Sequence, residues 1–307
     1  MFETRGARIV VTGGTGFLGG KLVERLSSGG HEIIVLSRSK KTGSPPPRVW
    51  YVKGDPVKPG EWQDAAADCD VIINLAGASI FHKWTPGYKQ RILESRVKTT
   101  RHIGEAIGSH PRKSRTLING SAVGYYGFRA DEGLGEDAAP GNDFLAGVVG
   151  EWESEAKKAE ALGARVVMIR TGLVLDAGGG ALGQMVPFFK FYIGGPLGSG
   201  CQWFSWVHRD DYVEAVLFVM GHRELAGPVN VCSPCPIRNR ELAAALGRAV
   251  GRPSWLRAPG FAVRFILGEF GTVVLNGQRV LPRKLLDHGF VFRYPDIDGA
   301  LGQILGG

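Results

Sequence analysis

The chain has 307 residues, 44% hydrophobic and 21% charged, with a formal net charge of +8 at pH 7. That length and balance suit one large α/β domain, alone or with a small C-terminal extension, and exclude a collagen-like or disulfide-framework protein. No apolar run reaches the ~18 residues of a membrane helix, and Met1 to Ala7 holds no apolar leader segment, so a cytoplasmic protein without a membrane partner is expected.

The first strand signal is Ile9 to Val11. It stops at a glycine cluster, and a helical pattern of Phe17, Leu18, Leu22, Val23 and Leu26 follows at once. Gly13, Gly16 and Gly19 are spaced G-x-x-G-x-x-G. In such a turn the first glycine permits the bend, the second lets a pyrophosphate approach the backbone, and the third lets the helix pack close to the strand. Free N–H groups at the helix start, aided by the helix dipole, then face the phosphates. Gly13, Thr15, Gly16, Phe17, Leu18 and Gly19 are therefore candidate dinucleotide contacts. A purely structural tight turn is the other reading.

Glu32 to Leu36 reads as the second strand, ending at Leu36-Ser-Arg38. An NAD-selective protein usually places an acidic residue here for the ribose 2′-hydroxyl. None occurs between Glu32 and Asp55. Ser37 offers a hydroxyl and Arg38 a guanidinium fork, both suited to a 2′-phosphate, so NADP(H) is the expected cofactor. A solvated loop arginine is the bland alternative. Val49 to Val52 is the third strand. Asp55, just beyond it, either accepts from an adenine amino group or forms the turn before Pro56. Asp70 to Ala76 is the fourth strand, and small residues after Asn74 let a cofactor lie along the backbone of Leu75, Ala76 and Gly77. The long helix of about Pro86 to Gly108 carries Arg96, which either reaches a phosphate or faces solvent.

Thr116 to Asn119 is the fifth strand, a helix runs near Phe144 to Leu162, and Arg165 to Arg170 is the sixth strand. Short continuous apolar strands between amphipathic helices imply an α/β, Rossmann-type doubly wound parallel sheet, with ligands beyond the carboxyl ends of the strands. From Thr171 the texture turns glycine-rich. Trp206 to Asp211 looks like a short strand running into a helix, with Asp210 or Asp211 near the N-cap. Three further helical patterns cover Arg240–Val250, Phe261–Leu267 and Asp296–Leu305. The expected organisation is an NADP-binding domain over 1–171, to which part of 200–230 returns. A substrate-side region with a small, mainly helical C-terminal lobe then covers 172–307.

The basic surplus admits nucleic acid. Yet Lys and Arg are spread along the chain, and the clusters Lys40-Lys41 and Pro111-Arg112-Lys113-Ser114-Arg115 are short. Attraction of an anionic cofactor is preferred, and no nucleic-acid partner is expected. Cys232-Ser-Pro-Cys235 is a C-x-x-C, read either as a redox pair or half a zinc site, or as a strand end and a Pro-rich turn. No metal is expected.

Thr12-Gly-Gly-Thr-Gly-Phe-Leu-Gly19, Asn74-Leu-Ala-Gly77 and Ser121-Ala-Val-Gly-Tyr-Tyr-Gly127 resemble the extended short-chain dehydrogenase/reductases. Arg170-Thr-Gly-Leu-Val-Leu175, Gly194-Gly-Pro-Leu-Gly-Ser-Gly200, Trp206-Val-His-Arg-Asp-Asp211 and Gly277-Gln-Arg-Val-Leu-Pro282 narrow the likeness to the atypical, U-type epimerase-like proteins with a C-terminal domain of unknown function. The resemblance covers nearly the whole chain. It implies NADP(H) bound through Ser37, Arg38, Leu75, Ala76, Arg96 and Val174.

In that superfamily a Tyr, with a Lys four residues later, does the acid–base work beside the nicotinamide. None of the seven tyrosines here has a Lys four places on. Phe144 or Leu145 stands near the Tyr place, and Val148 or Val149 near the Lys place. Ser121 is the remaining candidate catalytic residue, as substrate anchor or as a strand-end hydroxyl capping backbone. Tyr125 and Tyr126 either line a substrate pocket or pack against the C-terminal lobe. His208 is a proton shuttle or a satisfied structural histidine. The expected function is an NADP(H)-dependent oxidoreductase or epimerase-like protein acting on a carbonyl or sugar-like substrate. The alternative is a catalytically silent NADPH sensor, and a homodimer is left open.

Overall fold

The computed structural model describes residues 6–39, 45–110 and 115–306. The segment before Gly6 and the basic clusters at Lys40-Lys41 and Pro111–Ser114 lie outside the described residues.

In chain order the first half runs β1 (Arg8–Thr12), α1 (Phe17–Ser28), β2 (Glu32–Ser37), β3 (Val49–Lys53), α2 (Trp62–Ala67), β4 (Val71–Asn74), α3 (Pro86–Ser109), β5 (Thr116–Ala122), the short β6 (Gly133–Leu134), α4 (Phe144–Lys157) and β7 (Arg165–Thr171). Then come β8 (Leu173–Asp176), α5 (Gly180–Lys190), β9 (Trp203–Phe204), β10 (Trp206–His208), α6 (Arg209–Gly221), β11 (Gly227–Val231), β12 (Ile237–Arg238) and α7 (Asn239–Ala249). The chain closes with α8 (Gly260–Leu267), α9 (Phe270–Leu275), β13 (Arg279–Val280), α10 (Arg283–Asp287) and α11 (Ile297–Leu305).

A seven-stranded sheet forms the centre, in the order β11-β7-β5-β4-β1-β2-β3. Each neighbouring pair is parallel. Side chains alternate across it. Ile9 and Val11 join the layer of α1 and α6, with Leu22, Leu26, Val216 and Val219. Val10 joins the opposite layer of α2, α3 and α4, with Trp62, Ile103, Ile107 and Ala156. Both faces are covered, which is why the strands read as unbroken apolar runs. The strand order reverses between β1 and β4, so the ligand crevice lies above Thr12 and Asn74.

The rest of the chain closes over that edge. β11 pairs with β7 at the sheet's end, so the central sheet needs residues beyond 200 to be complete. A separate core joins α5, α7 and α11 through Leu182, Phe189, Leu242, Leu246 and Leu301, with Trp206 in the middle. The structure adds detail to two local expectations, and Asp210 and Asp211 both lie in the first turn of α6 beside its N-cap, as expected. The N-cap of α6 is His208, whose Nδ1 accepts the Asp210 N–H at 3.1 Å. Asp211 is drawn away because its carboxylate accepts the N–H groups of Arg293 and Tyr294, at 2.8 and 2.9 Å. The glycine-rich connection also contains a helix, α5, held by burial of Ala181, Leu182 and Phe189. Among the described residues, no helix is long and apolar enough to cross a membrane.

Candidate active site

The β1–α1 turn is shaped by close backbone approach. Gly13 has φ +72°, and a Cβ there would lie 2.8 Å from the carbonyl carbon and oxygen of Leu75. A Cβ on Gly19 would lie 2.3 Å from the Gly13 carbonyl oxygen. Only glycine lets α1 sit directly on the turn. Gly16 is the N-cap and supplies no side-chain acceptor, and the first turn of α1 holds no acidic residue. Its first N–H groups therefore point out toward the crevice with the positive end of the helix dipole behind them. Thr15 and Gly16 are exposed there, and Phe17 and Leu18 half-buried. Such a cradle fits a diphosphate.

Several other candidates line the same edge. Ser37 ends β2 and donates its hydroxyl to the Ser39 carbonyl at 2.9 Å. Arg38 follows it and is exposed. Asp55 lies next door, because the Gly54 N–H bonds the Ser37 carbonyl at 3.0 Å. Its Oδ1 accepts the Val57 N–H at 3.3 Å, an Asx-type turn that leaves the other oxygen unengaged by this bond. Leu75 and Ala76 are half-buried and Gly77 is exposed. Arg96 reaches up from α3 beneath them, and a Cβ on Gly77 would lie 3.1 Å from its Cζ. The guanidinium donates to the carbonyls of Ala78 and Ile92, at 3.1 and 3.0 Å, and lies 5.2 Å from the Trp152 ring centre. Burial pulls its pKa down to about 10. No carboxylate among the described residues pairs with it, so a bound anion would relieve the cost of that charge. Val174 sits on β8 beside Gly180, and the Gly179–Gly180 backbone covers the ring of Phe17.

A buried polar network anchors this edge. Asn74 accepts from Thr12 Oγ1 at 2.6 Å and donates to Thr100 Oγ1 and Asn119 Oδ1, at 3.0 and 2.7 Å. The Trp152 indole N–H donates to the same Thr100 hydroxyl at 3.0 Å. Five elements are tied together in this way. Sequence reading missed all but Asn74. The available signal was a polar residue directly after each of three apolar runs, Thr12, Asn74 and Asn119.

At the end of β5 the picture differs from that of a free reactive hydroxyl. Ser121 is buried and donates to Glu153 Oε1 at 2.6 Å. Glu153 is held on both oxygens by Arg170, at 2.8 Å each. Arg170 also donates to the Tyr126 hydroxyl at 3.0 Å, and that hydroxyl donates to Asn230 Oδ1 at 2.7 Å. The Tyr125 ring centre lies 3.5 Å from the Arg170 Cζ. Burial pushes the Tyr126 phenol up to about 12. Tyr126 packs with Leu134, Cys232 and Val280, so it is wedged between the sheet and the C-terminal segment. The Glu153–Arg170 pair was missed from sequence, although an arginine inside an apolar strand was its signal.

His208 is placed away from this group. Its Nε2 lies 2.8 Å from Gln303 Oε1, and its ring centre lies 4.0 Å from that of Tyr294, the two planes tilted by 36°. Since Nδ1 accepts a backbone N–H, Nε2 carries the proton and donates to Gln303. The first two turns of α4 carry Phe144, Leu145, Val148 and Val149 and no ionisable side chain. Phe144 packs 5.0 Å from Trp84. Cys232 and Cys235 are free thiols, the first buried against the Val280 carbonyl and the second exposed. Among the described residues no cluster of His, Cys, Asp or Glu could hold a metal ion.

Residues 9–232 match the model of the NAD dependent epimerase/dehydratase family, and residues 258–304 match a domain of unknown function, DUF1731. The chain belongs to the NAD dependent epimerase/dehydratase family. It is 41% identical over 303 residues to an epimerase family protein SDR39U1 homolog, chloroplastic, of Arabidopsis thaliana, covering 97% of this chain and 86% of that one. It is 39% identical to an epimerase family protein of Staphylococcus haemolyticus, covering 97% and 99% of the two chains. Among solved structures, the human epimerase family protein SDR39U1, crystallised with NADPH, superposes with a TM-score of 0.85 at 31% identity over 98% of this chain and 99% of that one. Family membership agrees with the resemblance carried by the glycine turn and by the 170–175 and 206–211 segments.

Proposed function

We propose that this family member is a cytoplasmic NADP(H)-binding oxidoreductase or epimerase-like protein that works without a Tyr-x-x-x-Lys pair. The β1–α1 cradle against Leu75 carries this reading, together with an exposed Arg38 at the tip of β2 where no acidic side chain stands. In it, Gly13, Thr15, Gly16, Phe17, Leu18 and Gly19 hold the diphosphate. Ser37 and Arg38 take the 2′-phosphate, Asp55 the adenine, and Leu75, Ala76, Gly77 and Val174 the body of the cofactor. Arg96 supplies the countercharge from below. Residues 1–171, with part of 200–230 returning to them, form the NADP-binding domain, and 172–307 form the substrate-side region and C-terminal lobe. The bound cofactor would supply or accept hydride, and the substrate class is a carbonyl or sugar-like compound. The human relative, crystallised with NADPH, supports the cofactor choice.

A second reading is a catalytically silent NADPH sensor. Two observations favour it: α4 opens without an ionisable side chain, and the Ser121 hydroxyl is engaged by Glu153. Fluorescence titration with NADPH and NADH tests the shared premise. Arg38→Asp should weaken NADPH at least about tenfold, the loss of a charged hydrogen bond, and leave NADH unchanged. Equal weakening of both would remove the assignment. A carbonyl substrate screen then separates the two readings, since a sensor binds NADPH without consuming it.

A further inference from the structure

Two stretches of the C-terminal half contain no acidic residue, 177–209 and 242–268. They meet in space. The Leu256 N–H bonds the Gly194 carbonyl at 3.3 Å, the Ala258 N–H bonds the Pro196 carbonyl at 2.9 Å, and the Gly198 N–H bonds the Ala258 carbonyl at 2.9 Å. The Arg252 guanidinium lies 4.8 Å from the Tyr192 ring centre across the same seam.

Where the stretches meet, large apolar side chains stand in solvent. Phe191, just past α5, is 75% exposed, and Trp255 is 71% exposed. On α8, Phe261, Phe265 and Ile266 are 78%, 91% and 74% exposed, while Val263 is turned into the protein. Phe261 and Phe265 are four residues apart and share one helix face. An apolar surface of this kind, shared by two segments, marks a contact site.

Charge selects the occupant. Lys190, Arg252, Arg257 and Arg264 border the patch, and all four are exposed. The ion pairs described nearby, Arg248–Asp298 and Lys89–Glu269, leave these four out. A second copy of the chain would bring like charges together, whereas an anionic surface complements them. Trp and Tyr at the patch, with an apolar body and a polar edge, suit the level of lipid headgroups.

We propose that this face docks on the surface of an anionic lipid bilayer. Phe261, Phe265 and Trp255 enter the interfacial layer, and the four cations meet lipid phosphates. Docking of this kind needs no spanning helix, and it differs from the sequence-based expectation of no membrane partner.

Cosedimentation of the full chain with phosphatidylcholine vesicles, with and without phosphatidylglycerol, tests it. Binding should require the anionic lipid and fall as salt is raised. Phe265→Glu and the double change Lys190→Glu with Arg264→Glu should each weaken it at least about tenfold. Both variants alter exposed side chains, so an unchanged thermal midpoint accompanies the loss. Failure to sediment with phosphatidylglycerol vesicles would overturn the proposal, as would equal binding to neutral vesicles. A dimer in solution that Phe265→Glu dissolves would assign the face to a second copy instead.

Discussion

Ser121 donates a hydrogen bond from its hydroxyl to Glu153 at 2.6 Å, and Glu153 is at the same time gripped on both oxygens by Arg170. The serine closest to the expected chemistry is thus a member of a buried charge network linking β5, α4 and β7. Burial by itself would lower the Arg170 pKa, but the hydrogen bonds it donates to Glu153 and to the neighbouring Tyr126 outweigh it and hold the guanidinium charged.

Unequal costs follow for the two partners. Glu153→Ala strands the Arg170 charge in the core and should cost about 3–5 kcal/mol. Ser121→Ala removes one hydrogen bond from a carboxylate that Arg170 still holds, and should cost about 1.5 kcal/mol. Urea midpoints at constant m-value measure both. Equal losses would contradict the network described for Glu153.

Arg96 should behave in the opposite way. Its half-buried charge has no carboxylate partner among the described residues, so Arg96→Met relieves a desolvation cost. The variant should be as stable as the parent or more stable without cofactor, yet bind NADPH more weakly. The cost is fully present below the folded pKa of about 10 and fades as pH rises from there toward the unfolded value. Any stability advantage of the variant should shrink over that range. Thermal scans at pH 7 and pH 10.5, with NADPH titration at pH 7, read both effects. A variant less stable at pH 7 with unchanged NADPH affinity would make Arg96 a structural residue.

Tyr126 sets an alkaline limit. Its phenol is raised to about 12, chiefly by burial. The unfolded chain loses this proton near pH 10, so it binds fewer protons than the folded chain between pH 10 and 12. Stability should therefore be intact below pH 10 and fall as pH climbs toward 12, by roughly 2–3 kcal/mol from this residue. Tyr126→Phe starts lower, because it loses the bonds to Arg170 and Asn230, but its curve should be flatter over that range. Parallel curves for the two proteins would reject this account.

The glycine turn and the strand tips around it were legible because their determinants are local. Ile9 to Val11 announces a strand, the glycine spacing a turn, and Leu22, Val23 and Leu26 a helix, all within one contiguous stretch. Parallel strand order then sets Arg38 and Leu75 at the same end as Gly13. Local rules failed where distant groups compete. Asp210 and Asp211 are better N-caps than histidine by intrinsic preference. His208 takes the role because Arg293 and Tyr294, some 82 residues on, claim the Asp211 carboxylate. The α5 helix escaped notice because its stability comes from burial in a tertiary core and not from its glycine-rich composition. Likewise, Ser121, Glu153 and Arg170 meet only through the pairing of β5 with β7 and the packing of α4 across them. Backbone conformation and strand ends are short-range properties that spacing encodes. The partner of a buried hydroxyl or guanidinium is a long-range property, set by which elements pack together.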